Sequence, residues 1–149
     1  MTSLITKITS TNIGLDTLPL RIGAGVIFAA HGAQKLFAWF GGYGLEGTAG
    51  WMASIGLEPG LLMAALAGSA EFFGGLLLII GLFVRPAAIA LSVAMLVAIV
   101  TVHLPNGLFM TNNGYEFGLA LLVVSVGLAI RGAGSLSADR WLQTRFVTN

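Results

Sequence analysis

LLMAALAGSAEFFGGLLLIIGLFV, residues 61–84, is an apolar run interrupted by a single charge, Glu71, and its reading decides the fold. About 20 consecutive apolar residues in a helix cross the roughly 30 Å hydrocarbon core of a bilayer, so this run reads as a membrane span. Arg85-Pro86 follows at once. Proline suits the first turn of a helix and cannot extend one, so a tight helical hairpin is expected there.

Working outward, three more apolar runs appear, at residues 18–37, 87–103 and 116–130. Leu104-Pro105-Asn106-Gly107 closes the third with breaker residues, and Arg131-Gly132 ends the fourth. The last two runs are short for perpendicular spans and need their interfacial flanks to complete them. The chain has 149 residues, 56% of them hydrophobic and 9% charged, which excludes an ordinary soluble domain. The expectation is an all-α integral membrane bundle of four transmembrane helices over residues 18–131. An N-terminal segment, 1–17, and a C-terminal tail, 132–149, flank it, with no room for a second domain.

Residues 38–60 are rich in glycine and carry Trp39, Trp51 and Met52. Tryptophan prefers the headgroup level, so a short interfacial helix between spans 1 and 2, capped by Thr48, fits this stretch; an irregular connector is the alternative. Lysine and arginine accumulate on cytoplasmic flanks. Four spans put Lys7, Arg21, Arg85, Arg131, Arg140 and Arg145 on one side and Lys35 on the other, so both termini are expected in the cytoplasm, with Arg21, Arg85 and Arg131 as anchors there. No short apolar core followed by a small-residue cleavage site precedes the first span, which reads as its own insertion signal.

That topology gathers the ionisable residues. His31 and Lys35 share a face of the first span with Gln34 beside it, Glu71 sits near mid-depth in the second, His103 closes the third, and Glu116 opens the fourth. Charges in a bilayer are costly enough that each needs a partner or a task. Ala64, Gly68, Glu71 and Gly75 form one stripe, and small residues around the carboxylate let a neighbouring helix approach, so Glu71 is expected to face the bundle interior. There it either takes a proton or is held ionised by Lys35 or His31.

Each residue also has a plainer reading. Glu71 is then an interhelical clasp, Lys35 a side chain snorkelling to the headgroups, His103 a helix C-cap, and Glu116 a solvated first-turn residue. Convergence on one side favours a shared site over independent caps.

The chain has no cysteine, which removes disulfides, thiol relays and thiolate metal sites. A net charge of +1 offers no basic surface for nucleic acid. No H-x-x-x-H or E-x-x-H pair supports a metal, and haem between His31 and His103 is disfavoured because it needs matched depth and facing rotation. Gly23, Gly25 and Gly32 read as helix packing, not as a nucleotide loop.

RIGAGVIFAAHGAQKL, EFFGGLLLIIGLFVRPAA, the His103 that ends the third span, GYEF at the start of the fourth and the closing GAGSLSAD together resemble the DoxX family. The resemblance covers residues 18–142 and implies a multi-pass protein of the bacterial inner (cytoplasmic) membrane, built as a four-helix bundle. Its motif residues here are His31 with Gly32 and Lys35, Glu71 with Gly74 and Gly75, then Arg85, His103 and Glu116. The family is named for a subunit associated with thiosulfate:quinone oxidoreductase, and other members are linked to oxidative-stress and thiol-redox complexes.

Three functional expectations follow. The first is a redox-associated component, an oxidoreductase subunit, binding a quinone or similar amphiphile. His31, Gln34, Lys35 and Glu71 contact its head, while His103 and Glu116 relay protons; Glu71, His31 and His103 are the catalytic candidates. The second is a non-catalytic subunit or scaffold for a redox or stress-response partner. The third is a small proton or weak-acid transporter, which requires a homo-oligomer or a water-filled cavity. Membrane lipid is a partner in all three.

Overall fold

A computed structural model describes residues 14–146 of the chain. Lys7, and most of the N-terminal segment expected at 1–17, lie outside the described residues. Within them the structure is helical, with no strand.

The long helices are α1 (Leu18–Phe37), α3 (Gly60–Ile80), α4 (Val84–Ala98) and α5 (Glu116–Arg131); α2 (Gly44–Ser54) lies between α1 and α3, and α6 (Ala138–Phe146) follows α5. Two of them are long and apolar enough to cross a membrane: α3, and α4 with its extension, Val84–Asn106. At 1.5 Å per residue, α5 spans only about 24 Å, short of the hydrocarbon thickness. Their outward faces are apolar, with Leu62, Leu66 and Phe73 exposed on α3, Ile89, Val93 and Leu96 on α4, and Val123 and Ile130 on α5. Patches of this size in water would drive association, whereas lipid accepts them.

The core lies between α1, α3, α4 and α5, around Phe28, Leu78, Val84, Leu91, Met95, Leu121 and Leu128. The α1–α3 seam is closest. A Cβ on Gly75 would stand 2.5 Å from the Ala29 backbone nitrogen, one on Gly25 would stand 2.8 Å from the Gly75 carbonyl oxygen, and one on Gly32 would run into the Phe72 backbone. Hydrogen side chains at these three positions let the two backbones touch, which is how helices gain packing energy where lipid removes the hydrophobic drive.

The hairpin expected at Arg85-Pro86 is present, but α4 starts at Val84, so Pro86 falls in its first turn. Gly81 ends α3 at φ +75°, and a Cβ there would collide with the Arg21 guanidinium. Arg21, expected as a surface anchor, is instead 1% exposed and donates to the Leu136 carbonyl at 2.6 Å. The reason is the C-terminal segment, which folds back beneath the helices. Thr17 donates to the Ala133 carbonyl, the Ser135 N–H donates to the Gly14 carbonyl, and the Asp139 N–H to the Gly81 carbonyl. Arg85 behaves as a cap, donating to the carbonyls of Ala129 and Ile130 at the end of α5, and Arg131 pairs with Asp16 at 2.8 Å.

Asp139 completes this knot. Its carboxylate accepts the Phe83 and Val84 N–H groups at 2.8 and 3.1 Å, two donors that the start of α4 leaves without intrahelical partners. Burial pushes its carboxyl above the ordinary value, against the pull of those N–H groups, Arg21 and Arg85. A native state that holds this proton more tightly than the unfolded chain is most stabilised below the ordinary carboxyl range and loses that contribution as pH rises through the raised native value. Asp139→Ala is expected to abolish this pH dependence and to cost about 1–3 kcal/mol from the orphaned N–H groups. Thermal unfolding followed by circular dichroism across the acidic range reads both, and a variant matching the parent in midpoint and slope would refute the assignment.

Candidate functional site

Lys35 lies in the last turn of α1 and Glu71 midway along α3, on the face that meets α1. Gly68, one turn before Glu71, makes the meeting possible: a Cβ there would stand 2.7 Å from the Leu36 side chain and 3.3 Å from the Lys35 Cβ. Lys35 Nζ donates to Glu71 Oε2 at 2.6 Å, with Glu71 4% exposed. The contact resolves the alternatives left open for Lys35, whose ammonium turns inward to the carboxylate. A short charge-assisted bond of this kind is the strong class of hydrogen bond.

The pair opens onto a cavity of about 800 Å³, within the range of small-molecule sites. His31, Gln34, Lys35, Glu71 and His103 all line it. Phe28, Ala94, Met95 and Leu121 line it too, so the cavity combines a few polar groups with a largely hydrocarbon wall. His31 is exposed, and its ring stands 6.2 Å from that of Phe117, centroid to centroid.

Two elements roof the cavity. The interfacial helix expected after the first span is α2, but Thr48 is inside it and caps nothing: the side chain is buried, lines the cavity and donates to the Lys35 carbonyl at 3.4 Å. Thr48 thus ties α2 to the turn that carries Lys35. Gln34 holds the short turn Trp39–Gly41 through the Phe40 carbonyl at 3.2 Å.

The second roof is the loop after α4. Pro105 has no N–H and its ring crowds the carbonyl four residues back, at Thr101, so the ladder widens into a π-helical turn over Ile99–His103. That turn aims Thr101, Val102 and His103 at the cavity. His103 Nδ1 meets the Asn113 carbonyl at 2.9 Å, so Nδ1 carries the proton and donates. Glu116 does not line the cavity. Its Oε1 accepts the Met110 N–H at 2.6 Å, and Met110 and Asn113 in turn line the roof. Glu116 therefore shapes the loop over the site from behind.

Nothing in the sequence marks Thr48, Thr101, Asn113 and Phe117 as residues that line the cavity. Threonine, asparagine and phenylalanine near helix ends are too common for spacing to mark them, and only the packing of α2 and the loop onto the cavity does so. Among the described residues no three His, Asp or Glu side chains come together as a metal site.

The DoxX family model matches residues 17–104, from the start of α1 to just past His103. A Bacillus subtilis (strain 168) protein named "Putative oxidoreductase CatD" is 36% identical over 125 residues, 84% of this chain and 85% of its own. Two Haemophilus influenzae proteins, each named "Uncharacterized protein", are 34% and 30% identical over 127 and 138 residues, covering 80% and 85% of this chain and 85% and 90% of theirs. No solved structure matches the chain. Similarity over most of both chains, together with a family model that spans the helices carrying His31, Lys35, Glu71 and His103, places this membrane protein in the DoxX family.

Proposed function

We propose that the protein is a four-span component of the bacterial inner membrane, both termini cytoplasmic, which binds a quinone-like amphiphile in the cavity around Lys35 and Glu71 and serves a redox reaction. One observation carries this reading. An ion pair with a buried carboxylate faces a cavity otherwise lined largely by hydrocarbon, the mix of polarity that a ring with two carbonyls and an apolar tail presents. Lys35, His31 and Gln34 offer donors to a carbonyl oxygen, and Glu71 accepts from the hydroxyl that reduction would create. Reduction consumes two electrons and two protons. The chain has no thiol to donate electrons, so the reading assigns them to a redox partner and leaves this chain the tasks of binding and proton delivery. The oxidoreductase name of the Bacillus relative supports a redox setting.

Quinone is expected in lipid extracts of gently purified protein, detected by mass spectrometry at near-stoichiometric amount. His31→Ala is expected to weaken binding of decyl-benzoquinone about tenfold, the equivalent of one hydrogen bond. Protein free of quinone, with no saturable binding of decyl-benzoquinone, would sink the proposal. The scaffold reading has one observation in its favour: Lys35–Glu71 joins α1 to α3 directly, as a clasp would. It requires Glu71→Gln to leave partner activity intact whenever the fold is intact.

A further inference from the structure

α3 and α4, joined by the turn at 81–83, touch where Gly74 faces Leu91; a Cβ on Gly74 would stand 3.1 Å from that side chain. Beyond this contact, toward the roof, the hairpin sets small residues beside the larger Glu71, Met95 and Val97: Ala67 on α3 and Ala94 and Ala98 on α4. All three line the cavity.

The rim of this gap can be placed on α4. Ile99 marks the side facing α5, because a Cβ on Gly118 of α5 would stand 3.1 Å from it. At about 100° per residue, Val97 and Thr101 lie roughly opposite Ile99, on the flank away from α5. Both are exposed, Val97 by 44%, and both line the cavity. Trp51 of α2, also 44% exposed, lines it too. Residues that are exposed and cavity-lining at once stand at a mouth: His31, Tyr43 and Met110 mark openings elsewhere, and Val97, Thr101 and Trp51 mark one on this flank. Val97 lies six positions before His103, about 9 Å deeper along the helix, so the mouth extends well below the roof. It also opens between the two helices that are long and apolar enough to span a membrane, beside the exposed apolar face of Leu66, Val93 and Leu96.

We propose that the gap between the outer halves of α3 and α4 is a lateral portal, through which an uncharged amphiphile enters from the lipid, head first toward Lys35 and Glu71, its tail left in the hydrocarbon. This rests on the reading of the cavity as a ligand site. The physical reason for a side entrance is the tail. A ligand arriving through the roof would first expose every methylene to water, whereas passage between α3 and α4 keeps the chain in apolar surroundings throughout. Ala67, Ala94 and Ala98 each put no more than a methyl group into the gap.

The absence of cysteine makes the test clean. Ala94→Cys in the full chain, reconstituted in phosphatidylcholine vesicles, is labelled either with membrane-partitioning N-(1-pyrenyl)maleimide or with a maleimide bearing stilbene disulfonate, which stays in water. The pyrenyl reagent is expected to react faster by about tenfold or more, relative to the ratio for free cysteine, because it concentrates in the lipid beside the portal. Adding Ala67→Trp, or Val97→Trp if the first variant misfolds, should slow pyrenyl labelling about fivefold by filling the gap, while Leu66→Trp on the outward face should not. Equal relative labelling by the charged reagent, or rates untouched by either portal tryptophan, would overturn the proposal. Protection of Ala94→Cys by decylubiquinone, whose fully substituted ring offers the thiol no open position for addition, reads the other question. Selective, tryptophan-blocked labelling without such protection leaves the portal standing and removes the quinone.

Discussion

Gly75→Leu is expected to abolish the native packing of α1 on α3. The added Cβ alone would sit 2.5 Å from the Ala29 backbone nitrogen and 2.6 Å from the Gly25 carbonyl oxygen, and backbone cannot rotate away as a side chain can. The two helices must part by several ångströms, and with them the contact that brings Lys35 to Glu71. Overpacking in a core commonly costs 1–3 kcal/mol, and a backbone-against-backbone clash with no room to repack belongs at about 3 kcal/mol or above. Gly23→Leu is the matched control, since a Cβ there meets nothing within 4 Å and leucine is the better helix former. Size-exclusion profiles and thermal unfolding in detergent should separate the two variants. A Gly75→Leu protein as monodisperse and as stable as Gly23→Leu would contradict the seam described for α1 and α3.

Lys35→Met should produce the second largest effect. Methionine keeps the length of the side chain and removes its charge, leaving Glu71 at 4% exposure with its ion pair to Lys35 gone. Breaking a buried pair from one side costs about 3–5 kcal/mol, because the remaining charge is stranded. The double variant Lys35→Met/Glu71→Met replaces both charges by apolar groups of similar size and is expected to regain most of that stability, since an apolar pair avoids the desolvation cost that the ion pair carries. Ligand binding should not return with it. Restored melting without restored decyl-benzoquinone binding assigns the pair to the ligand; restored melting with binding intact would show that the pair only joins helices.

Much of the fold is legible along the chain. Residues 18–37 form α1 with the bounds that hydropathy suggests, and α5 begins at Glu116, where the fourth run begins. The stripe Ala64, Gly68, Glu71, Gly75 is buried and turned inward as its small residues imply. What one-dimensional reading handled poorly were residues whose role depends on a distant segment. Thr48 looks like a cap because threonine before an apolar stretch usually is one, yet the helix already starts at Gly44 and its hydroxyl reaches a carbonyl on α1. Arg21 looks like a headgroup anchor because arginine near a span end usually is one. It is buried because residues 133–139 fold back over it, bringing the Leu136 carbonyl and Asp139 to its guanidinium.

Composition, the spacing of apolar runs and the positions of proline and glycine determined by themselves that this chain is helical, suited to a membrane, and that Glu71 faces inward. Those properties depend on local sequence, through helical period, backbone geometry and the cost of charge in hydrocarbon. Tertiary structure alone decided that Lys35 is the partner of Glu71, that Glu116 braces the loop instead of lining the cavity, and that Asp139 caps α4 from beyond the last long helix. Each of those is a contact between residues far apart in the chain or held by a folded loop, set by how closely glycine lets two backbones approach and where a π-helical turn redirects the side chains. Periodicity along one helix carries no information about its rotation against another, and that rotation is what makes the site.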